Sequence, residues 1–163
     1  MITLKNVTKI YHSIGEDVIA LNDINLKFNK NQLTFIVGDS GSGKSTLLNV
    51  IGGLDSIDSG LIMINGENHK GKNSRRIGFI FQDFCLIENL TVKENLYLAM
   101  SSKDDDKVES ALCLVGLEGF SNKKVYDLSG GERQRIAIAR TIIMDQDILL
   151  CDEQTCSMDE ENT

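Results

Sequence analysis

Residues 32–53 read QLTFIVGDSGSGKSTLLNVIGG, and this stretch decides the fold. The apolar run at residues 32–37 has the character of a short strand, ended by Gly38-Asp39-Ser40-Gly41-Ser42-Gly43-Lys44-Ser45, which matches G-x-x-x-x-G-K-[ST]. Residues 44–51 then read as a helix stopped by Gly52-Gly53. Glycines let a backbone curl so that successive N–H groups point inward as an anion nest, and the following helix adds the positive end of its dipole. Lys44 supplies a point charge for β- and γ-phosphates, and the Ser45 hydroxyl, followed by Thr46, can reach Mg²⁺. A glycine-rich surface loop is the plainer alternative, but the strand–loop–helix context favours a phosphate cradle.

Outward from that loop, residues 2–7 and 20–26 read as strands with the polar stretch 13–17 between them. Residues 61–64 form a strand entering a tight Asn65-Gly66 turn, and residues 77–81 (IGFIF) a buried strand. A helical pattern from 88 to 116 is broken by a solvated acidic patch, KDDDK, at 103–107. A further helix covers 132–144, starting from Gly130, and residues 148–151 are a last apolar strand. Strands alternating with helices predict an α/β core with a parallel sheet, interrupted by a helical insertion at 83–127.

The composition is that of a globular domain: 163 residues, 41% hydrophobic and 25% charged. The net charge of -7 disfavours a nucleic-acid partner. No apolar run suits a membrane span, and the opening MITLKNVTKIYH lacks the apolar stretch of an export signal, so the chain reads as unexported. Cys85, Cys113, Cys151 and Cys156 show no metal-ligand spacing and read as buried or half-buried free thiols.

The last strand delivers Asp152 and Glu153, an acid to hold Mg²⁺ and a neighbour to polarise the attacking water as a general base. Leu128-Ser129-Gly130-Gly131-Glu132 adds a hydroxyl and two glycines ahead of a helix, a second and incomplete anion site. In this order the motifs resemble the ATP-binding cassette (ABC) family, whose hallmark L-S-G-G-[EQ] segment lies between the phosphate loop and the Walker B strand. The resemblance covers all 163 residues. It implies a P-loop NTPase core with a parallel sheet, an N-terminal antiparallel β subdomain and an inserted α-helical subdomain. Within one ABC ATPase domain spanning 1–163, it divides the chain into a nucleotide-binding core (1–82), a helical subdomain (83–127) and the signature helix with Walker B (128–163). ATP and Mg²⁺ are the implied ligands. A second cassette is the implied partner, each signature (Ser129, Gly130, Gly131, Glu132) closing the other copy's site across a two-fold axis.

The resemblance also assigns Tyr11 to adenine stacking, although a tyrosine at a strand end is by itself more often structural. Gln82 falls on the Q-loop glutamine, which touches Mg²⁺ and the attacking water. Residues 152–159 (DEQTCSMD) resemble D-E-P-T-S-A-L-D, placing Asp159 on the D-loop aspartate. Asp39 and Gln154 stand where the family commonly has proline, which tunes loop rigidity without removing a reacting group.

The implied function is ATP hydrolysis driving a transmembrane permease from the cytoplasmic face, with membrane contact only through that permease. The polar insertion after Tyr11, residues 48–55 (LNVIGGLD) and residues 77–82 resemble the lipoprotein-release, macrolide-export and antimicrobial-peptide-export group. Family cassettes continue past the D-loop to a further strand and a histidine contacting the γ-phosphate. His12 and His69 both lie upstream of Walker B, so the C-terminal strands are expected to be missing. Unpaired ladder groups at roughly 1–3 kcal/mol each would leave this chain poorly stable and weakly active by itself. The competing expectations are a nucleotide-binding fragment that does not cycle, and a cassette ATPase with no transporter.

Overall fold

A computed structural model describes residues 1–69, 77–81 and 83–152. Gln82, Glu153 and Asp159 therefore lie outside the described residues, as do Gln154 and Cys156. The chain forms two compact units, Met1–Ser74 and Arg75–Thr163.

In the first unit, β1 (Ile2–Tyr11) pairs antiparallel with β2 (Val18–Phe28) and with β3 (Ser59–Ile64), and β3 pairs with β4 (Glu67–Asn68), in the order β2-β1-β3-β4. Both strands of the first hairpin run longer than the sequence suggests. Alternation buries Ile2, Leu4 and Val7 on one side of β1. The register slips near Asn6, whose φ is 48°. There Gly60 lies so close that a β-carbon on it would come 2.3 Å from the Asn6 carbonyl oxygen, so only glycine fits this bulge. Asn65 and Gly66, both at positive φ, make the expected tight turn between β3 and β4. The helix α1 (Lys44–Gly52) buries Leu47, Leu48, Val50 and Ile51, and Gly53 ends it in the left-handed region.

The strand expected at residues 32–37 does not form. These residues join no ladder among the described residues, and Leu33, Phe35 and Val37 stand 82%, 78% and 88% exposed. An apolar run of this kind becomes a strand only when neighbouring strands flank it, and among the described residues no strand pairs with it.

In the second unit, β5 (Ile77–Ile80) and β6 (Ile148–Cys151) form the parallel pair, with Ile77 opposite Ile148 and Ile80 opposite Cys151. Between them come α2 (Val92–Tyr97), α3 (Asp105–Leu114), a 3₁₀ turn (Val125–Asp127) and α4 (Gly130–Met144). Val92, Leu96, Val108, Leu112, Leu117 and Ile136 make their shared core. The acidic patch at 103–107 is solvated as expected and the helical pattern breaks between Tyr97 and Asp105, but the patch also starts the next helix. Asp104 caps α3 by accepting from the Lys107 N–H, and Asp105 and Asp106 fill its first turn, where negative charge meets the positive end of the helix dipole. The thiols also depart from expectation: Cys85, Cys113 and Cys151 are free but exposed.

Candidate functional site

The phosphate-loop motif lies in the first unit as a tight turn feeding α1. Gly41 and Gly43 take φ of 79° and 89°, values that side chains resist. The Ser42 N–H donates to the Asp39 carbonyl, and the Leu47 N–H donates to the Gly43 carbonyl as the helix starts. Gly43 is the N-cap of α1, and no side chain caps the helix. A β-carbon at Gly43 would come 2.4 Å from the Ala20 carbonyl oxygen, so the loop sits directly on β2. The Lys44 ammonium folds back over the turn, donating to the carbonyls of Gly38 (2.9 Å) and Asp39 (2.7 Å). Ser40, Ser45 and Thr46 follow the same turn. Concave backbone, an uncapped helix start and an ammonium at one locus fit a triphosphate.

Tyr11 ends β1 and is 39% exposed. Its hydroxyl donates to Asp55 Oδ2 at 2.8 Å, and the buried Lys9 ammonium lies 5.0 Å from its ring centroid while donating to Asp55 Oδ1 at 2.9 Å. The Lys9 hydrogen bond holds the Asp55 carboxyl below the usual carboxylate range, and the same bond raises Lys9. Neither Lys9 nor Asp55 is among the site residues the sequence suggests, although Asp55 closes the segment 48–55. The signal was available, since Lys9 falls on the buried register of Val7, where a lysine needs a partner.

In the second unit, Ser129 is the N-cap of α4 and forms a full capping box with Glu132. The Ser129 N–H and hydroxyl donate to Glu132 Oε2 at 2.7 and 2.8 Å, and the Glu132 N–H donates back to the Ser129 hydroxyl oxygen at 3.3 Å. The bond from the Ser129 N–H keeps the Glu132 carboxyl below its ordinary value. The hydroxyl read as an open donor is thus already engaged. Gly130 and Gly131 are exposed, with no atom within 4 Å of where a β-carbon would stand. Arg133 holds the segment, donating to the Leu128 and Tyr126 carbonyls and pairing with Glu88 at 3.0 Å.

Asp152 follows β6, and its N–H donates to the Ile80 carbonyl at 3.2 Å, so the ladder extends to the carboxylate. It therefore sits at the carboxyl ends of two parallel strands, where open α/β sheets place ligands. Its carboxylate and the Ser45 hydroxyl are hard oxygen donors, the type Mg²⁺ takes. Past Gln82, Phe84 and Cys85 both adopt positive φ (60° and 46°), and Arg140 of α4 donates to their carbonyls at 2.8 and 2.7 Å. A cleft of about 280 Å³ opens beside this loop, lined by Asp83, Phe84, Glu88, Gly130 and Arg133 among others.

Residues 21–156 match the family model described as ABC transporter. The chain is 37% identical to the ABC transporter ATP-binding protein YxdL of Bacillus subtilis, covering 100% of this chain and 68% of that protein. It is 38% identical to the lipoprotein-releasing system ATP-binding protein LolD 1 of Rhodopirellula baltica (99% and 76%) and 43% identical to the taurine import ATP-binding protein TauB of Pelagibacter ubique (89% and 57%). A solved dimeric ATP-binding cassette, MJ0796, in a post-hydrolysis state bound to ADP and Pi, aligns with TM-score 0.85 at 36% identity, over 98% of this chain and 77% of that one. Among the described residues no helix is long and apolar enough to cross a membrane.

Proposed function

Since the chain belongs to the ABC transporter family of ATPases, in its ATP-binding class, we propose that it is the subunit that drives a transmembrane permease by binding and hydrolysing MgATP, working as a homodimer at the cytoplasmic face. Lys44 and the loop Gly38–Asp39–Ser40–Gly41–Ser42–Gly43, with Ser45 and Thr46, hold the triphosphate. Tyr11 stacks on adenine. Ser45, Gln82 and Asp152 hold Mg²⁺, which when bound offsets phosphate charge. Glu153 orients and deprotonates the water. Ser129, Gly130, Gly131, Glu132 and Asp159 act on the nucleotide held by the second copy.

The observation that carries this reading is the phosphate loop: a positive-φ glycine turn, an uncapped helix start and the Lys44 ammonium folded over it. For the permease side, the support is the cleft beside the loop that follows Gln82, flanked by the start of the signature helix. The direction we propose is export. The relatives include import systems as well as a lipoprotein-releasing one, so export rests on the resemblance of residues 48–55 and 77–82 to the release and drug-export group.

Lys44→Ala tests the core of the proposal. Removing a charge-assisted phosphate contact should weaken ATP binding more than about tenfold and abolish phosphate release. ATP affinity equal to the parent's would overturn it. Co-purification with a membrane partner encoded alongside tests the permease assignment.

A further inference from the structure

Asp55 stands just past the C-terminus of α1, the helix that begins at Lys44. Its backbone is fixed there: the Leu54 and Asp55 N–H groups donate to the Asn49 carbonyl at 2.9 and 3.3 Å, beyond the left-handed Gly53 cap. The carboxylate turns the other way, toward β1. Oδ1 accepts from Lys9 Nζ and from the Ser56 N–H (2.7 Å), and Oδ2 accepts from the Tyr11 hydroxyl. Asp58 closes the same seam, its carboxylate accepting from the Ile10 N–H at 2.6 Å and its own N–H donating to the Thr8 carbonyl at 2.9 Å.

The seam thus ties the end of the phosphate-loop helix to the strand end that presents Tyr11. The ring is held at its hydroxyl by Asp55 and on one face by the Lys9 ammonium, while 39% of the residue remains exposed. Burying Lys9 is costly, and an apolar pair of the same volume often packs as well. What the ion pair supplies that an apolar pair would not is direction, a carboxylate with one oxygen on the lysine and the other on the tyrosine.

We propose that Asp55 is a positioning residue for the nucleotide base: it sets the Tyr11 ring at a fixed separation from the helix that holds the phosphates, and so determines the base-dependent part of ATP affinity. This rests on the proposal that Tyr11 stacks on adenine. The placement predicts which part of the ligand feels the link. Phosphate contacts lie at the N-terminus of α1 and do not run through Asp55, so a ligand without a base should not sense its loss.

The experiment measures the affinity of the chain for ATP and for inorganic tripolyphosphate, in the parent and in Asp55→Asn, Tyr11→Phe and Tyr11→Ala. Asp55→Asn keeps the shape and removes the charge. Tyr11→Phe cuts the same link without touching the Lys9–Asp55 pair, so it decides the matter if Asp55→Asn folds poorly. Tyr11→Ala should lower ATP affinity about tenfold, the worth of one stacked base. Asp55→Asn and Tyr11→Phe should each lower it roughly fivefold, with the double variant no worse than either single one. Tripolyphosphate affinity should not change in any of them. Equal losses for both ligands in Asp55→Asn and Tyr11→Phe, or no loss for either, would overturn the positioning role while Tyr11→Ala keeps its effect. If Tyr11→Ala binds ATP like the parent, the stacking assignment falls, and the positioning role with it.

Discussion

Replacing Gly43 by alanine, with Gly41 replaced in parallel, separates backbone strain from steric conflict in the phosphate loop. Both residues sit at positive φ, 89° and 79°. Any residue with a β-carbon resists that region by roughly 1–2 kcal/mol. Gly41 has nothing within 4 Å of the added atom, so Gly41→Ala carries the strain alone. At Gly43 the new carbon would stand 2.4 Å from the Ala20 carbonyl oxygen, where ordinary contact begins at 3.4 Å. The obstacle is the backbone of β2, which no rotamer change can move aside. The loop must shift by roughly the 1 Å difference, and the first N–H groups of α1 shift with it. Hydrogen bonds weaken steeply over such a displacement, and each charge-assisted one is worth about 1.5–3 kcal/mol. Gly43→Ala should therefore lose ATP affinity by more than about tenfold. Gly41→Ala should melt lower while keeping affinity within about threefold of the parent, because its strain is present with and without ligand. Calorimetric ATP titration beside thermal melting reads both quantities. If the two variants bind ATP equally well, the close approach of the loop to β2 is not what shapes the cradle.

Arg140→Lys keeps the charge but loses the fork that holds the Phe84 and Cys85 carbonyls. Amide exchange at residues 84–86 should accelerate by an amount corresponding to about 1–3 kcal/mol of local opening, with the exposed Arg135→Lys as a silent control. Ile136→Ala removes a fully buried side chain from the helical core and should cost about 2–5 kcal/mol in urea unfolding; a cost below about 1 would refute the packing. The Glu132 carboxyl is held below its ordinary value by the Ser129 N–H, so its contribution is complete at neutral pH and is lost as pH falls through the lowered value. Melting temperatures taken from pH 7 down to about 3 should fall less steeply for Glu132→Gln than for the parent, and parallel curves would count against the capping box.

Local chemistry made most elements legible. Glycine stops, the Asn-Gly turn and periodic apolar residues placed α1, the β3–β4 turn, α4 and β6 to within a few residues. At residues 32–37 a largely apolar run, with Gln32 and Thr34 in it, states only that a strand is possible. Whether it forms depends on neighbours in space, and no local pattern encodes them. The acidic patch is solvated, as its charge density says, but Asp104 and the two aspartates after it also form a helix start, a role that charge density alone does not announce. In the candidate site, the phosphate loop and signature were legible because their residues are contiguous. The Lys9–Asp55 pair, separated by 46 positions, required the fold to bring its partners together.

Both helix starts looked alike in sequence, each a serine–glycine turn suited to an anion, yet their geometry divides the work between them. At α1 the cap is Gly43, which has no side chain to satisfy the orphan N–H groups, so that end of the helix keeps its full affinity for negative charge. At α4 the Ser129–Glu132 box satisfies donors internally and places a carboxylate in the first turn, which offsets the same dipole. A phosphate approaching α4 meets Gly130 and Gly131 N–H groups beside an existing negative charge, and must compete with Glu132 for Ser129. On the proposed function, the loop at Gly38–Ser45 is then expected to be the stronger anion site, with the signature adding to a nucleotide held by the loop. Removing the competitor should shift that balance. Glu132→Gln should raise the affinity of the signature segment for inorganic phosphate in a chain whose own loop is disabled by Lys44→Ala. Phosphate binding in that double variant no tighter than in Lys44→Ala alone would show that the capping carboxylate does not set the order of the two sites.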